Sequence, residues 1–194
     1  PFLSFIRSLA SLAKAKVLIV NNTKPYYFWL LSRFPELKNV DTIPYNKATF
    51  MTTKESVMQG YLNSEPLIMS KKGLAVNIFK VSDTGFNPYT SVLFCNKELH
   101  EKQSGLVSKI KKASLRGWLS YLKDPQETNA YIEKINPANK GTLNASTKAL
   151  LPIMSIQDEN FGEMKHKRWT DLAKQLKGIG IIAKDNIDVK SFIK

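Results

Sequence analysis

The first half of the chain alternates short apolar runs with turn-forming residues. Lys16-Val-Leu-Ile-Val20 is unbroken and largely β-branched, the pattern of a strand buried on both faces. Asn21-Asn-Thr23 supplies a turn, Pro25 sits where a helix can start, and Tyr26 to Phe34 reads as a short aromatic helix stopped by Pro35. Val40-Asp-Thr-Ile43 reads as a second strand, Lys54 to Met58 as helix, and Gln59-Gly-Tyr-Leu62 as a short strand. Ser64 is a good N-cap, Pro66 falls in the first turn and Gly73 ends it, so residues 64–72 read as a helix. Val76 to Val81 alternates like a strand, Asp83-Thr-Gly-Phe-Asn-Pro88 is turn chemistry, and Tyr89 to Cys95 reads as another strand.

After Cys95 the period changes. Leu106, Ile110, Ala113 and Gly117 share one helical face, which Leu99 and Leu122 extend. Asp124-Pro125 breaks that helix, a second runs to Ile135, and Thr147 to Ser155 and Trp169 to Gly178 read as two more. Trp118 and Trp169 have apolar helical partners and read as core. Strands alternating with helices, followed by a helical tail, predict an α/β fold with a mostly parallel, covered sheet. Ligands in such sheets sit at the carboxyl ends of the strands.

Composition narrows the chemistry. Hydrophobic residues make up 43% of the 194, enough to bury a core. The net charge of +13 admits an anionic partner. The densest basic stretches, Lys109–Lys112 and Lys165–Arg168, fall on amphipathic patterns and read as wet helix faces. No nucleic-acid-binding motif accompanies them. The single cysteine, Cys95, excludes an internal disulfide and a multi-cysteine metal site, and its apolar surroundings read as those of a buried thiol. His100 and His166 lie far apart, without metal-ligand spacing, and read as surface residues. There is no nucleophile elbow, no phosphate-binding glycine loop and no CxxC pair. No catalytic residue, cofactor or metal is expected, and no apolar run reaches the length of a membrane span.

Three loops at strand ends are candidates for binding. Asn22-Thr23-Lys24-Pro25-Tyr26 can hold a polar or anionic group at a helix start, or can be an ordinary turn and cap. At Asn63-Ser64-Glu65, the carboxylate suits the helix dipole, and it can also face a cleft and accept hydrogen bonds from an amine or aminopyrimidine. Asp83 to Tyr89 joins a carboxylate, an amide and an aromatic ring.

Four stretches carry a resemblance. Gln59-Gly-Tyr-Leu-Asn-Ser-Glu-Pro66, Asp83-Thr-Gly-Phe-Asn-Pro-Tyr89, Ala113-Ser-Leu-Arg-Gly-Trp-Leu-Ser-Tyr-Leu-Lys-Asp-Pro125, and the pair Gly162–Trp169 and Gln175–Gly180 occur in that order. Together they resemble ABC-transporter substrate-binding proteins of the NMT1/THI5-like group, related to taurine, alkanesulfonate and nitrate binders. The resemblance implies a periplasmic binding protein type II-like fold of two α/β lobes, with no enzymatic activity. Residues 1–14 would be a remnant of lobe one and its crossover, 15–90 lobe two, and 91–194 a return strand and helices of lobe one. The βαβ stretch that opens lobe one in family members would be absent, leaving that lobe incomplete.

The implied ligand-binding residues are Glu65 first, then Tyr26, Asp83 and Tyr89, with Thr23 and Ser64 beside them. The implied partners are a small solute, of thiamine-precursor-like aminopyrimidine or sulfonate/nitrate type, and an ABC permease. The implied location is periplasmic or otherwise extracytoplasmic and membrane-associated, with no signal segment in this chain. A truncated, oligomerising remnant that forms a homodimer or joins a complementary fragment, and a basic nucleic-acid binder, are the alternatives. An enzyme of pyrimidine synthesis lacks any histidine or cysteine cluster to support it.

Overall fold

The computed structural model describes residues 6–154, 160–183 and 187–189. The elements in chain order are β1 (Val17–Ile19), α1 (Pro25–Arg33), β2 (Thr42–Ile43), α2 (Lys47–Thr52), β3 (Ser56–Met58), α3 (Glu65–Lys71), α4 (Lys97–Lys102), α5 (Ser104–Lys123), α6 (Gln126–Ile135), α7 (Leu143–Met154) and α8 (His166–Gly178). The fold is α/β, with a small parallel sheet and many helices. Two compact units emerge. One holds the described residues of Pro1–Tyr61, Met69–Pro88 and Met164–Lys194, the other those of Leu62–Ile68 and Tyr89–Glu163.

The sheet lies in the first unit. Its order is β2-β1-β3, all parallel, with Leu18 opposite Thr42 and Val57. β1 is central, and Leu18, Ile19 and Val20 are buried. Its unbroken apolar run is what a strand covered on both faces requires. Leu18 and Val20 pack with Leu12, Ala15, Tyr27, Leu30 and Leu37 into the core cluster. α1 starts at Pro25, whose fixed φ suits a first helical position, and buries Tyr27, Trp29 and Leu30. Trp29 stacks on Phe86 at 5.5 Å, donates its indole N–H to Thr84 Oγ1 at 2.8 Å, and lies under the Arg33 guanidinium at 4.6 Å.

Several sequence expectations are corrected here. Lys54–Met58 is not helical: α2 ends at Thr52, Glu55 takes a left-handed φ of 60°, and 56–58 form β3. That positive φ is incompatible with a continuing helix and turns the chain into the sheet, where the Glu55 carbonyl accepts from the Lys16 N–H at 2.9 Å. Gln59–Leu62 is therefore loop, since the pairing strand lies three residues earlier. Val76–Val81 is not a strand either. Phe79 and Val81 do pack on the core, but among the described residues no strand pairs with them, and Val81–Thr84 is a 3-10 turn. Tyr89–Cys95 likewise pairs with no strand, and residues 91–98 are all exposed, so Cys95 is an exposed thiol.

The second unit is helical. The single helix expected after Cys95 breaks at Gln103 into α4 and α5. The inward side of α5 is Val107, Leu115 and Leu122, so the Leu106–Ile110 face points to solvent and Trp118 is 47% exposed rather than core. α5, α6 and α7 are joined by a buried polar network. Tyr121 Oη donates to Asn129 Oδ1 at 2.9 Å and lies 2.8 Å from Thr147 Oγ1, while Asn129 Nδ2 donates to Asn144 Oδ1 at 2.7 Å. Asn129 and Thr147 are each 3% exposed. Such groups are tolerated in an interior only when bonded in this way. α7 begins four residues before the expected Thr147, and Ser155, its expected end, lies outside the described residues, as do residues 1–5 of the expected 1–14 segment.

Candidate functional site

The carboxyl ends of β1 and β3 converge on one polar cluster. Past β1, the Val20 N–H still pairs with the Ile43 carbonyl at 3.0 Å before the chain turns. Asn21 shapes the turn: its Oδ1 accepts from the Thr23 N–H at 3.2 Å and from the Thr23 hydroxyl at 2.7 Å. Asn22 Nδ2 donates to Thr42 Oγ1 at 3.0 Å, which ties the turn to β2. Past β3, the Gln59 N–H donates to the Ile19 carbonyl at 3.0 Å. Its side chain then reaches across, and Gln59 Oε1 accepts both the Asn21 N–H at 2.7 Å and the Tyr26 hydroxyl. One amide oxygen thus locks the β1–α1 turn, the first turn of α1 and the end of β3 together.

Burial pushes the Tyr26 hydroxyl up to about 12, with smaller upward contributions from Tyr27 and Tyr61 and only partial offset by the Asn21 backbone bond. The phenol therefore stays neutral around pH 7 and does not exchange a proton there. Asn21, Thr23, Tyr26 and Gln59 carry no formal charge. They can hold an uncharged polar group by donated and accepted hydrogen bonds, and they supply neither a cation for an anion nor a nucleophile with its base.

Thr23 and Tyr26 are the expected site residues that the fold brings into this cluster. Asp83 sits in the 3-10 turn Val81–Thr84, exposed, and pairs with Lys80 at 3.6 Å. Ser64 and Glu65 open α3 in the second unit, half-buried, with Ser64 Oγ 3.4 Å from Glu65 Oε1. Glu65 occupies the first turn, where a carboxylate complements the helix dipole. Tyr89 is half-buried in the same unit. Among the described residues, no group of three or more His, Cys, Asp or Glu is arranged to hold a metal.

Sequence reasoning missed Gln59 as a site residue, although an amide just after an apolar strand is the signal to seek at a carboxyl end. It also missed why two separated motifs accompany each other. Arg168 on α8 donates from Nε to the Asn87 carbonyl at 2.5 Å, and from Nη2 to Asn87 Oδ1 at 2.8 Å and the Pro88 carbonyl at 3.0 Å. Gln175 Nε2 donates to the Gly85 carbonyl at 2.9 Å. The 85–88 turn, whose Gly85 has a left-handed φ of 88°, is clamped by these two side chains. A cavity of about 270 Å³ opens beside this clamp, lined by Lys165, Lys167, Arg168 and Asp171 among others, and includes no member of the Tyr26–Gln59 cluster.

Residues 34–128 match the family model described as NMT1/THI5 like. This segment is NMT1/THI5-like. The NMT1/THI5-like segment contains Gln59, the start of α3, the 83–89 turn and all of α5, so three of the motif stretches fall inside it. The match supports a solute-binding role. The α/β architecture is compatible with part of a binding-protein fold. No curated protein matches the chain. No helix among the described residues is long and apolar enough to cross a membrane.

Proposed function

We propose that the protein is the solute-binding component of an ABC importer, working outside the cytoplasm and delivering a small organic molecule to a membrane permease. The observation that carries this reading is the cluster in which Gln59 Oε1 gathers the Asn21 N–H and the Tyr26 hydroxyl at the carboxyl ends of β1 and β3. In parallel α/β sheets, ligands are held at such ends. The cluster carries no cation, which favours an uncharged amine-bearing heterocycle of aminopyrimidine type over a sulfonate or nitrate. Glu65 accepts from the solute's amine. Thr23, Ser64, Asp83 and Tyr89 are the further contacts in this reading. The protein's work is capture and presentation, with no bond made or broken.

The test is native mass spectrometry and titration calorimetry with an aminopyrimidine, taurine and nitrate. Heat and a mass increment with the aminopyrimidine, lost in Gln59→Leu and weakened in Glu65→Ala, support the reading. Binding that ignores both substitutions, or no binding to any of the three, sinks it. A second reading, an oligomerising module, is favoured by the apolar run ending at Cys95, where Leu93 is 58% and Phe94 86% exposed. A bare dimer in the same spectrum supports that reading, and a ligand-bearing monomer removes it.

A further inference from the structure

We propose that α5 is a docking surface for an anionic lipid bilayer, a role that stands whether or not the solute-binding reading holds. Over its 20 residues the helix carries Lys109, Lys111, Lys112, Arg116 and Lys123 and no carboxylate. From 104 to 120, every residue except Val107 and Leu115 is exposed. The exposed side has two adjoining stripes. Leu106 and Ile110, 44% and 41% exposed, continue through Ala113 and Gly117 at helical spacing. Nothing lies within 4 Å of where a Gly117 side chain would begin, so this stripe is open. Lys109, Lys112 and Arg116 form the second stripe, one residue further round the helix. Trp118, 47% exposed, is an amphipathic ring of the kind favoured at membrane interfaces.

Charge complementarity selects the occupant. A second copy would bring a net charge of +13 against +13, with no acid on α5 to pair across the contact. A nucleic acid would match the cations but leave Leu106 and Ile110 against phosphate and water. A single acidic helix would match the cations and leave the apolar stripe beside them, about 17 Å long from Leu106 to Gly117, only partly covered. An anionic bilayer meets both stripes at once. Its phosphates take Lys109, Lys112 and Arg116, and the boundary with the acyl chains takes Leu106, Ile110 and Trp118.

The experiment is co-sedimentation of the purified full chain with phosphatidylcholine vesicles, with and without phosphatidylglycerol. The expected result is binding only to the phosphatidylglycerol-containing vesicles, falling as salt is raised. The triple variant Lys109→Ser, Lys112→Ser, Arg116→Ser weakens binding about 100-fold, at roughly fivefold for each cation lost. The double variant Leu106→Ser, Ile110→Ser weakens it by about tenfold or more. All four residues used for the charge and apolar tests beyond Lys109 are likewise surface positions, and far-UV circular dichroism establishes that both variants keep the parent's helix content. Equal binding to both vesicle types, binding to neither, or a triple variant that binds like the parent overturns the proposal. So does an apolar variant indistinguishable from the parent, the signature of the purely electrostatic contact a nucleic acid makes.

Discussion

Replacing Gln59 by Leu removes one acceptor and strands two donors. Leu is shorter and loses Nε2 along with Oε1, while the Gln59 backbone keeps its bond to Ile19, so the perturbation is confined to the side chain. The Asn21 N–H loses its 2.7 Å partner and the Tyr26 hydroxyl loses its acceptor. Each net hydrogen bond contributes about 1 kcal/mol, and a donor left without a partner costs more the less water reaches it. Asn21 and Tyr26 are half-buried, so water recovers part of the loss, and the sum is about 2 kcal/mol. Gln59→Glu keeps an acceptor at the same place and stays within about 0.5 kcal/mol of the parent at pH 7. The assay is urea unfolding followed by tryptophan fluorescence. Trp29 reports on the first unit through its contacts with Phe86 and Thr84, and Trp118→Phe, Trp169→Phe as background isolates its signal. A Gln59→Leu protein as stable as the parent would show that Oε1 does not hold the turn. A Gln59→Glu protein as unstable as Gln59→Leu would show that the amide's donor, rather than its acceptor, matters.

Three further outcomes follow from the same geometry. Because the Tyr26 hydroxyl is raised from 10.0 to about 12, the unfolded chain gives up that proton first. Its contribution is complete below pH 10 and is lost as pH rises from 10 toward 12, about 1 kcal/mol once its half-exposed position is allowed for. Tyr26→Phe flattens the alkaline fall measured by urea midpoints, and the part due to Tyr27, which burial also raises, remains. Asn129→Ala empties the centre of the α5–α6–α7 network and costs about 2–3 kcal/mol. Its double-mutant cycle with Tyr121→Phe shows coupling of about 1 kcal/mol, and strict additivity would refute a shared network. Arg168→Lys replaces a three-bond fork with a single ammonium, and hydrogen exchange in the 85–88 turn rises severalfold while that of β1 amides does not.

The sequence was most legible where one local rule was enough. The unbroken Lys16–Val20 run, Pro25 at a helix start, Gly73 after α3 with its φ of 73°, and the Asp124-Pro125 break all appear in the structure as they read. Each depends only on the backbone preferences of a few neighbouring residues or on burial from both sides. That Thr23 and Tyr26 fall in one turn was legible for the same reason, since they lie between a buried strand and its helix.

Tertiary structure decided what pairing and distance control. Val76–Val81 and Tyr89–Cys95 have strand-like composition, yet a strand exists only where another strand offers hydrogen bonds, and none among the described residues does so. Ser56–Met58, which has weaker composition, became β3 because Glu55 turns the chain onto the edge of β1. Gln59 became the centre of the candidate site through bonds to residues 38 and 33 positions earlier, and Arg168 holds a turn some 80 residues away. Local propensity and periodicity marked α1, α3, α5, α6 and α8 and the central run, but not α2 or the 56–58 strand. Which polar atoms meet was settled by the fold, because hydrogen bonds form by proximity in space and leave no period in the chain.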